Sequence, residues 1–420
     1  MYLLHLSDIH FRKGDILSKM DPDIHLRNEL TQDIVARFKK IGEPPRAILI
    51  SGDIAFAGDP AEYDFALSWL ELLCNAVGVP VSIIFVCPGN HDVARKVSGS
   101  PAVQACHKDL KAATDLSLDA QMKGFLEEPT SGALLYKSIE AYNQFAVRFF
   151  CDLSPHTRTM VQRSLQFKDG SKLVMTGLNS TFISSEADKP NELLVDPSFR
   201  QLIRTPGEVN LVMCHHPFDW LRNGDVLKDH LNDVAPVQLF GHKHVERIER
   251  TTECVRVAAG SMQPERHKAG WSPGYNIIKL DIEGDGAQRR LNVDVTVLVL
   301  QEGPTKFNSK RTKEDKDVWS HSIPLAEWHC PDTSSPKIET TKLVTLEEKN
   351  DPMSSLRDIS IRFFKLTLSQ KSAIVGKLEL LPDSSENQET FMLFKNALLL
   401  AQSKGLLEAV DSEIRNFEGK

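Results

Sequence analysis

Five times in this chain a short apolar run stops at side chains able to bind a metal or move a proton. That recurrence limits the fold more than any other feature. The clearest case is Val81-Ser82-Ile83-Ile84-Phe85-Val86, which reads as a buried strand and runs into Cys87-Pro88-Gly89-Asn90-His91-Asp92. Pro88-Gly89 turns the backbone. Asn90 then offers an amide oxygen, His91 an imidazole and Asp92 a carboxylate that could orient that imidazole. Polar groups at the tips of neighbouring strands are the usual site-forming arrangement of an α/β sheet.

The other tips follow the same rule. Tyr2 to Leu6 reads as a strand ending in Ser7-Asp8-Ile9-His10, where i, i+2 spacing puts Asp8 and His10 on one side of extended backbone. Ala47 to Ile50 ends in Ser51-Gly52-Asp53. Leu211 to Met213 ends in Cys214-His215-His216-Pro217. Val237 to Phe240 ends in Gly241-His242-Lys243-His244. Helical patterns separate the early strands. Leu30, Ile34, Val35, Phe38 and Ile41 share a face, and Asp59-Pro60-Ala61-Glu62 is an N-cap, N1 proline and capping box opening the next helix. Strand and helix in alternation predict βαβ units.

Further along, the rhythm changes. Residues 93–163 are helical by pattern, with Ile139, Tyr142, Phe145 and Phe149 on one stripe, and are expected to form an insert that could cap the site. Ser164 to Asn179 reads as a hairpin about Asp169-Gly170. Cys254 to Ala259, Tyr275 to Ile282 and Leu291 to Leu300 are further strands. Residues 301–350, with the charge run Ser309 to Asp317, read as polar linker, and 351–420 as a separate helical module. The catalytic domain is therefore placed at residues 1–300.

Composition narrows the function. A net charge of −7 over 420 residues gives no general attraction to nucleic acid or an anionic membrane, although a local basic groove could still exist. Seven cysteines, at 74, 87, 106, 151, 214, 254 and 330, form no C-x-x-C pair, which points to reduced thiols in a cytoplasm. No run reaches transmembrane length, and the N-terminus lacks the pattern of a signal peptide. Asp, Asn and His together suit borderline divalent ions such as Mn²⁺, Fe²⁺ and Zn²⁺. They are too many for one tetrahedral zinc, but suit two ions about 3.5–4 Å apart sharing a carboxylate.

The order Asp8-Ile9-His10, Gly52-Asp53, Gly89-Asn90-His91-Asp92, His215 and Gly241-His242-Lys243-His244 resembles the calcineurin-like metallophosphoesterases, in their bacterial phosphodiesterase and exonuclease branch. The resemblance implies a sandwich of two mixed β-sheets flanked by helices. It implies that Asp8, His10, Asp53 and His244 hold one divalent ion and Asn90, His215 and His242 a second, with Asp53 bridging. Mn²⁺ is the first expectation, Fe²⁺ and Zn²⁺ the alternatives. By the same analogy His91 is the general acid and Asp92 its orienting partner. His216 could be a supporting residue, a substrate contact or merely structural. The implied reaction is hydrolysis of phosphodiester bonds in nucleic acid or nucleotides by metal-activated hydroxide. A cyclic-nucleotide phosphodiesterase with a capped pocket is an alternative. Residues 357–417 resemble death-like helical adaptor modules attached to bacterial defence enzymes, which implies an effector that recruits a protein partner or self-associates.

Overall fold

The computed structural model describes residues 1–155, 157–263, 273–301, 303, 305–329, 352–381 and 390–418. By contact clustering these fall into two compact units. The larger is Met1–Val79, Ile84–Phe145 and Cys151–Cys330; the smaller is Pro80–Ile83, Ala146–Phe150 and Pro331–Lys420.

The larger unit is built on two mixed sheets. Its strands are β1 (Tyr2–Leu6), β2 (Ala47–Ser51), β3 (Ile84–Cys87), β4 (Met160–Gln166), β5 (Lys172–Leu178), β6 (Glu208–Cys214), β7 (Val237–Phe240), β8 (Arg247–Arg250), β9 (Val255–Ala258), β10 (Gly274–Glu283), β11 (Arg290–Gln301), β12 (Lys306–Ser309) and β13 (Trp319–Pro324). One sheet runs β12-β11-β10-β1-β2-β3, with β13 also on β11; the other runs β4-β5-β6-β7-β9-β8. In the first, β1, β2 and β3 are parallel and β10 joins β1 antiparallel. In the second, β5, β6, β7 and β9 are parallel. Strands β2, β3 and β7 are buried along their whole length and β1 at all but Tyr2, in keeping with their largely apolar sequences.

Helices Ile24–Ile41 and Pro60–Val77 make the crossovers between β1, β2 and β3. The second has the expected capping box: Asp59 accepts from Ala61 N–H, and Glu62 accepts from the Asp59 N–H. Between β3 and β4 lie helices Arg95–Ser98, Pro101–Ala112, Leu118–Glu127, Pro129–Lys137 and Glu140–Ala146, so the expected insert is helical. It is fastened to the 192–222 segment by Lys111–Glu192 (3.2 Å), Arg200–Asp119 (2.9 Å) and Arg222–Asp115 (2.8 Å). The hairpin at Asp169-Gly170 is β4 and β5.

Two segments differ from their sequence reading. Val81–Ile83 is a 3₁₀ turn, and the strand begins only at Ile84. Pro80 fixes φ there and its carbonyl accepts the Ile83 N–H (3.3 Å). Within the expected linker, Lys306–Ser309 and Trp319–Pro324 extend the first sheet on β11. Each contributes one inward apolar side chain, Phe307 and Ile323, too sparse a signal to separate from the charged sequence around it. The charge run forms the exposed turn between them. The rest of that segment, 330–351, lies outside the described residues.

The smaller unit has four described helices, Pro352–Lys365, Leu368–Lys377, Thr390–Ser403 and Leu407–Glu418. Leu356, Phe363, Ile374, Phe394, Leu398, Val410 and Ile414 form its apolar core, together with Val147. Phe363 sets its ring edge-to-face against Phe394 at 5.7 Å. Arg362 pairs with Asp411 and Glu418 across this unit. Among the described residues, no helix is long and apolar enough to cross a membrane.

Candidate metal centre

All seven expected ligands come together at the C-terminal ends of β1, β2, β3, β6 and β7. The turns that deliver them are sharp. Asp8, His10, Asp53, His242 and His244 all have φ between 52° and 70°, in the left-handed region. Such backbone costs a non-glycine residue about 1–3 kcal/mol and persists only where surrounding bonds fix it. Here the Asp8 N–H donates to Gly52 O (3.1 Å), His10 N–H to Asp53 O (2.9 Å) and Gly241 N–H to His215 O (3.0 Å). Ser261 Oγ donates to Asp8 O (3.0 Å).

Glycine is required where these turns meet. A Cβ on Gly89 would stand 2.2 Å from Asp53 Oδ1 and 2.5 Å from its backbone N. One on Gly52 would stand 2.5 Å from His215 Nδ1, and one on Gly241 2.3 Å from Ser7 Oγ. At three of the five motifs, the glycine ahead of the polar residues thus lets two strand tips approach closely.

The donors fall into two groups. Asp8, His10, Asp53 and His244 each bring a ligand atom within 4.8 Å of the others. His244 Nε2 is 3.1 Å from Asp8 Oδ1, and His10 Nε2 is 3.1 Å from Asp53 Oδ2. On the other side, His215 Nε2 is 3.1 Å from Asn90 Oδ1, and His242 Nδ1 is 2.9 Å from the same oxygen. Asp53 Oδ2 joins the groups, because it is also 3.2 Å from His215 Nε2. Ser51 O accepts from His215 Nδ1 (2.8 Å), which leaves Nε2 as the nitrogen facing inward.

Electrostatics follows from burying these groups together. Burial acts to raise the Asp8 carboxyl, but the His244 hydrogen bond and the His215 charge hold it at about 2. Asp53 is likewise held well below the usual carboxylate range, burial being outweighed by His215 and His10. Burial lowers His10, and burial with the His215 charge brings His242 to about 3. His215 runs the other way. Burial disfavours its cation, but Asp53 raises it to about 9. Two ionised carboxylates, an amide oxygen and inward-facing imidazole nitrogens fit a pair of borderline divalent ions, which would compete with a proton for His215.

His91 lies beside this set. Its N–H donates to Asp53 Oδ1 (2.8 Å) and its Nδ1 lies 2.8 Å from Phe56 O. A carbonyl only accepts, so Nδ1 carries the proton and Nε2 is the exchangeable position. The expectation that Asp92 orients this imidazole is corrected here, since the orienting group is the Phe56 carbonyl. Asp92 is fully buried and accepts from Ala55 N (2.9 Å), Gly89 N (2.9 Å), Ile54 N (3.1 Å) and Tyr63 OH (2.8 Å). It ties the loop after β2 to the loop after β3. Burial, with Asp53 nearby, raises its carboxyl to about 6. Residue type could not separate these roles, because a backbone carbonyl leaves no mark in the sequence.

A stability measurement distinguishes them. Asp92→Ala strands three buried N–H groups and is expected to cost about 3–5 kcal/mol, read as a lower denaturation midpoint. An unchanged midpoint with reduced turnover would instead return Asp92 to the orienting role.

His216 is fully buried beside the second group, with one ring nitrogen within 4.8 Å of those of His215 and His242. Its Nδ1 meets Ser180 Oγ at 2.8 Å, and its Nε2 has no hydrogen-bond partner. Trp220 packs edge-to-face against His242, with ring centroids 4.0 Å apart.

The family model for calcineurin-like phosphoesterases matches residues 1–246, more than half of the chain. The chain belongs to that family. Its metallophosphoesterase domain is thus a phosphoester-hydrolase domain. A second model, the GTPase-associated adaptor domain, matches residues 355–416, and fits the helical reading of that region. The glycerophosphodiester phosphodiesterase GpdQ of Enterobacter lignolyticus is 36% identical over 92 residues, covering 22% of this chain and 30% of that relative. The match thus spans less than a third of the curated relative. Among solved structures, Vps29 of Chaetomium thermophilum is similar over 77% of this chain and 98% of its own (12% identity, TM-score 0.30). A conserved Streptococcus pneumoniae protein described as a phosphoesterase is similar over 74% and 97% (13% identity, TM-score 0.29).

Proposed function

We propose that this phosphoesterase hydrolyses phosphodiester bonds in nucleotides or nucleic acid, with two divalent ions held between Asp8, His10, Asp53 and His244 on one side and Asn90, His215 and His242 on the other. The observation that carries the reading is Asp53 Oδ2, placed 3.1 Å and 3.2 Å from histidines of the two groups. When bound, such a pair supplies a nucleophile at neutral pH and positive charge opposite the phosphoryl oxygens. Mn²⁺ suits the donor set, with Fe²⁺ or Zn²⁺ as alternatives.

The chain's own residues do the rest. His91 gives a proton from Nε2 to the leaving oxygen, while Phe56 O keeps the ring from rotating. Asp92 fixes the loop that carries His91. Asp53 Oδ1 accepts the His91 N–H, so the acid and the bridging carboxylate keep one spacing. The diester preference draws on the similarity to the GpdQ phosphodiesterase.

The helical region at 355–416 is proposed to recruit a protein partner or a second copy, as its adaptor-domain match suggests. A cytoplasmic location is supported by cysteine usage, seven widely spread residues with no C-x-x-C pair.

The deciding experiment is hydrolysis with Mn²⁺ on bis-p-nitrophenyl phosphate, p-nitrophenyl phosphate, cyclic mononucleotides, and single- and double-stranded DNA and RNA, with Asp53→Asn as control. Cleavage of nucleic acid or linear diesters is expected. Turnover of the monoester alone would overturn the diester assignment and leave the metal centre standing.

A further inference from the structure

Beside His91 the chain has a cationic structure that the hydrolytic site does not use. Arg12 directly follows the first ligand motif, as Asp8-Ile9-His10-Phe11-Arg12. Its guanidinium carbon stands 4.1 Å from the centroid of Phe56, and the Arg95 guanidinium lies over the same ring at 5.5 Å. Phe56 in turn packs on His91, with ring centroids 5.0 Å apart and planes tilted by 31°. It also meets His10 edge-on at 6.2 Å. Two guanidinium groups and the His91 imidazole thus all pack on one aromatic ring.

Among the described residues Arg12 has no carboxylate partner, and Arg95 has only a solvent-exposed one. Arg12 is half-buried, and its Nε is sealed from solvent with no hydrogen-bond partner among the described residues. A partly buried cation without a counter-charge is costly, and an anion arriving there removes that cost. Arg95 pairs with Glu186 at 3.4 Å, but both side chains are exposed, and such a pair is weak enough to exchange for a substrate oxygen. Lys13, the next cation along, is different: it is held by Asp59 at 2.8 Å. The guanidinium fork also suits phosphate oxygens better than a point charge does.

We propose that Arg12 and Arg95, spaced by Phe56, form a subsite for a second phosphate of the substrate, adjoining the scissile one on the His91 side. This rests on the phosphodiester reading above and narrows it. The preferred substrate then carries a neighbouring phosphate, as a nucleic acid strand or a terminally phosphorylated dinucleotide does. A diester with one phosphate fills only the metal centre.

The test compares the thymidine dinucleotide TpT with pTpT and TpTp, which add one terminal phosphate at either end. The readout is the ratio of kcat/KM for the better phosphorylated dinucleotide to that for TpT. The wild-type ratio is expected to be about 10–100, the size of a charge-assisted contact. Arg12→Gln, which keeps a stem over Phe56 and removes the charge, is expected to bring the ratio close to one. The change should lie mainly in KM, with metal content unaltered. Arg95→Ala, at an exposed position, gives a second reading should Arg12→Gln fold poorly. Raising salt should shrink the wild-type ratio and leave that of Arg12→Gln nearly flat.

A wild-type ratio near one, or a large ratio that both variants retain, would overturn the subsite alone. Hydrolysis of no dinucleotide and no bis-p-nitrophenyl phosphate would overturn the diester reading and the subsite with it.

Discussion

Asp53→Asn is expected to remove metal-dependent hydrolysis by at least about a thousandfold. The metal pair is asked for several kcal/mol of transition-state stabilisation, and about 4 kcal/mol corresponds to about 10³-fold in rate. Asp53 is the residue on which both halves of the centre depend. Its Oδ2 faces His10 and His215, and its Oδ1 accepts the His91 N–H. An asparagine keeps the size but replaces one oxygen with a donor and removes the negative charge. The remaining imidazoles then face one another without the carboxylate that reconciles them. Metal stoichiometry by elemental analysis, beside turnover of bis-p-nitrophenyl phosphate, checks both parts. Fewer than two ions per chain with activity lost is the expected pair of results. Full activity in metal-replete Asp53→Asn would rule out a shared carboxylate.

His91→Ala should act differently. It removes a proton donor and no ligand, so turnover is expected to fall by about 10²–10³ with both ions retained. The loss should depend on the leaving group. With p-nitrophenolate, a weak base, the missing proton matters little. With a nucleoside alkoxide, it matters most. Comparing kcat on bis-p-nitrophenyl phosphate and on TpT therefore reports the role directly. An equal loss on both substrates would mean that His91 positions the centre rather than donating a proton. Loss of metal from the variant would mean that it belongs to the ligand set. The Phe56 carbonyl holds the ring by Nδ1, so on the proposed role Nε2 is the nitrogen left to meet the leaving group.

Much of this centre could be read from the chain before any coordinates. The reason is chemical: a buried apolar strand that ends in Asp or His has few bland explanations, and five such ends were present in one order. Apolar runs alternating with capped helices pointed to βαβ units, while the two-sheet fold class came from the resemblance that the ordered motifs carry. The residue types themselves pointed to divalent metal ions. Less could be read where backbone atoms do the work. Asp92 looked like the partner of His91, being next to it in sequence. In the folded chain its carboxylate accepts from two amides of the loop after β2 and one of its own loop, and the imidazole is held by a carbonyl 35 positions away. The short strands β12 and β13 were also hidden, each having one inward apolar residue amid charge.

The sequence by itself therefore pointed to the chemistry of the site, the strand tips that bear it and the helical character of much of residues 93–163 and of the described part of 351–420. Only the tertiary structure decided how those tips meet. It turned five of the seven ligands through left-handed backbone and let Gly52, Gly89 and Gly241 bring neighbouring turns into contact. It also set Arg12, Phe56 and Arg95 together beside His91, although they are separated by 44 and 39 positions in the chain. Side-chain type limits what chemistry is available, whereas the distance between groups far apart in sequence is fixed by sheet register and turn geometry, which no local pattern encodes.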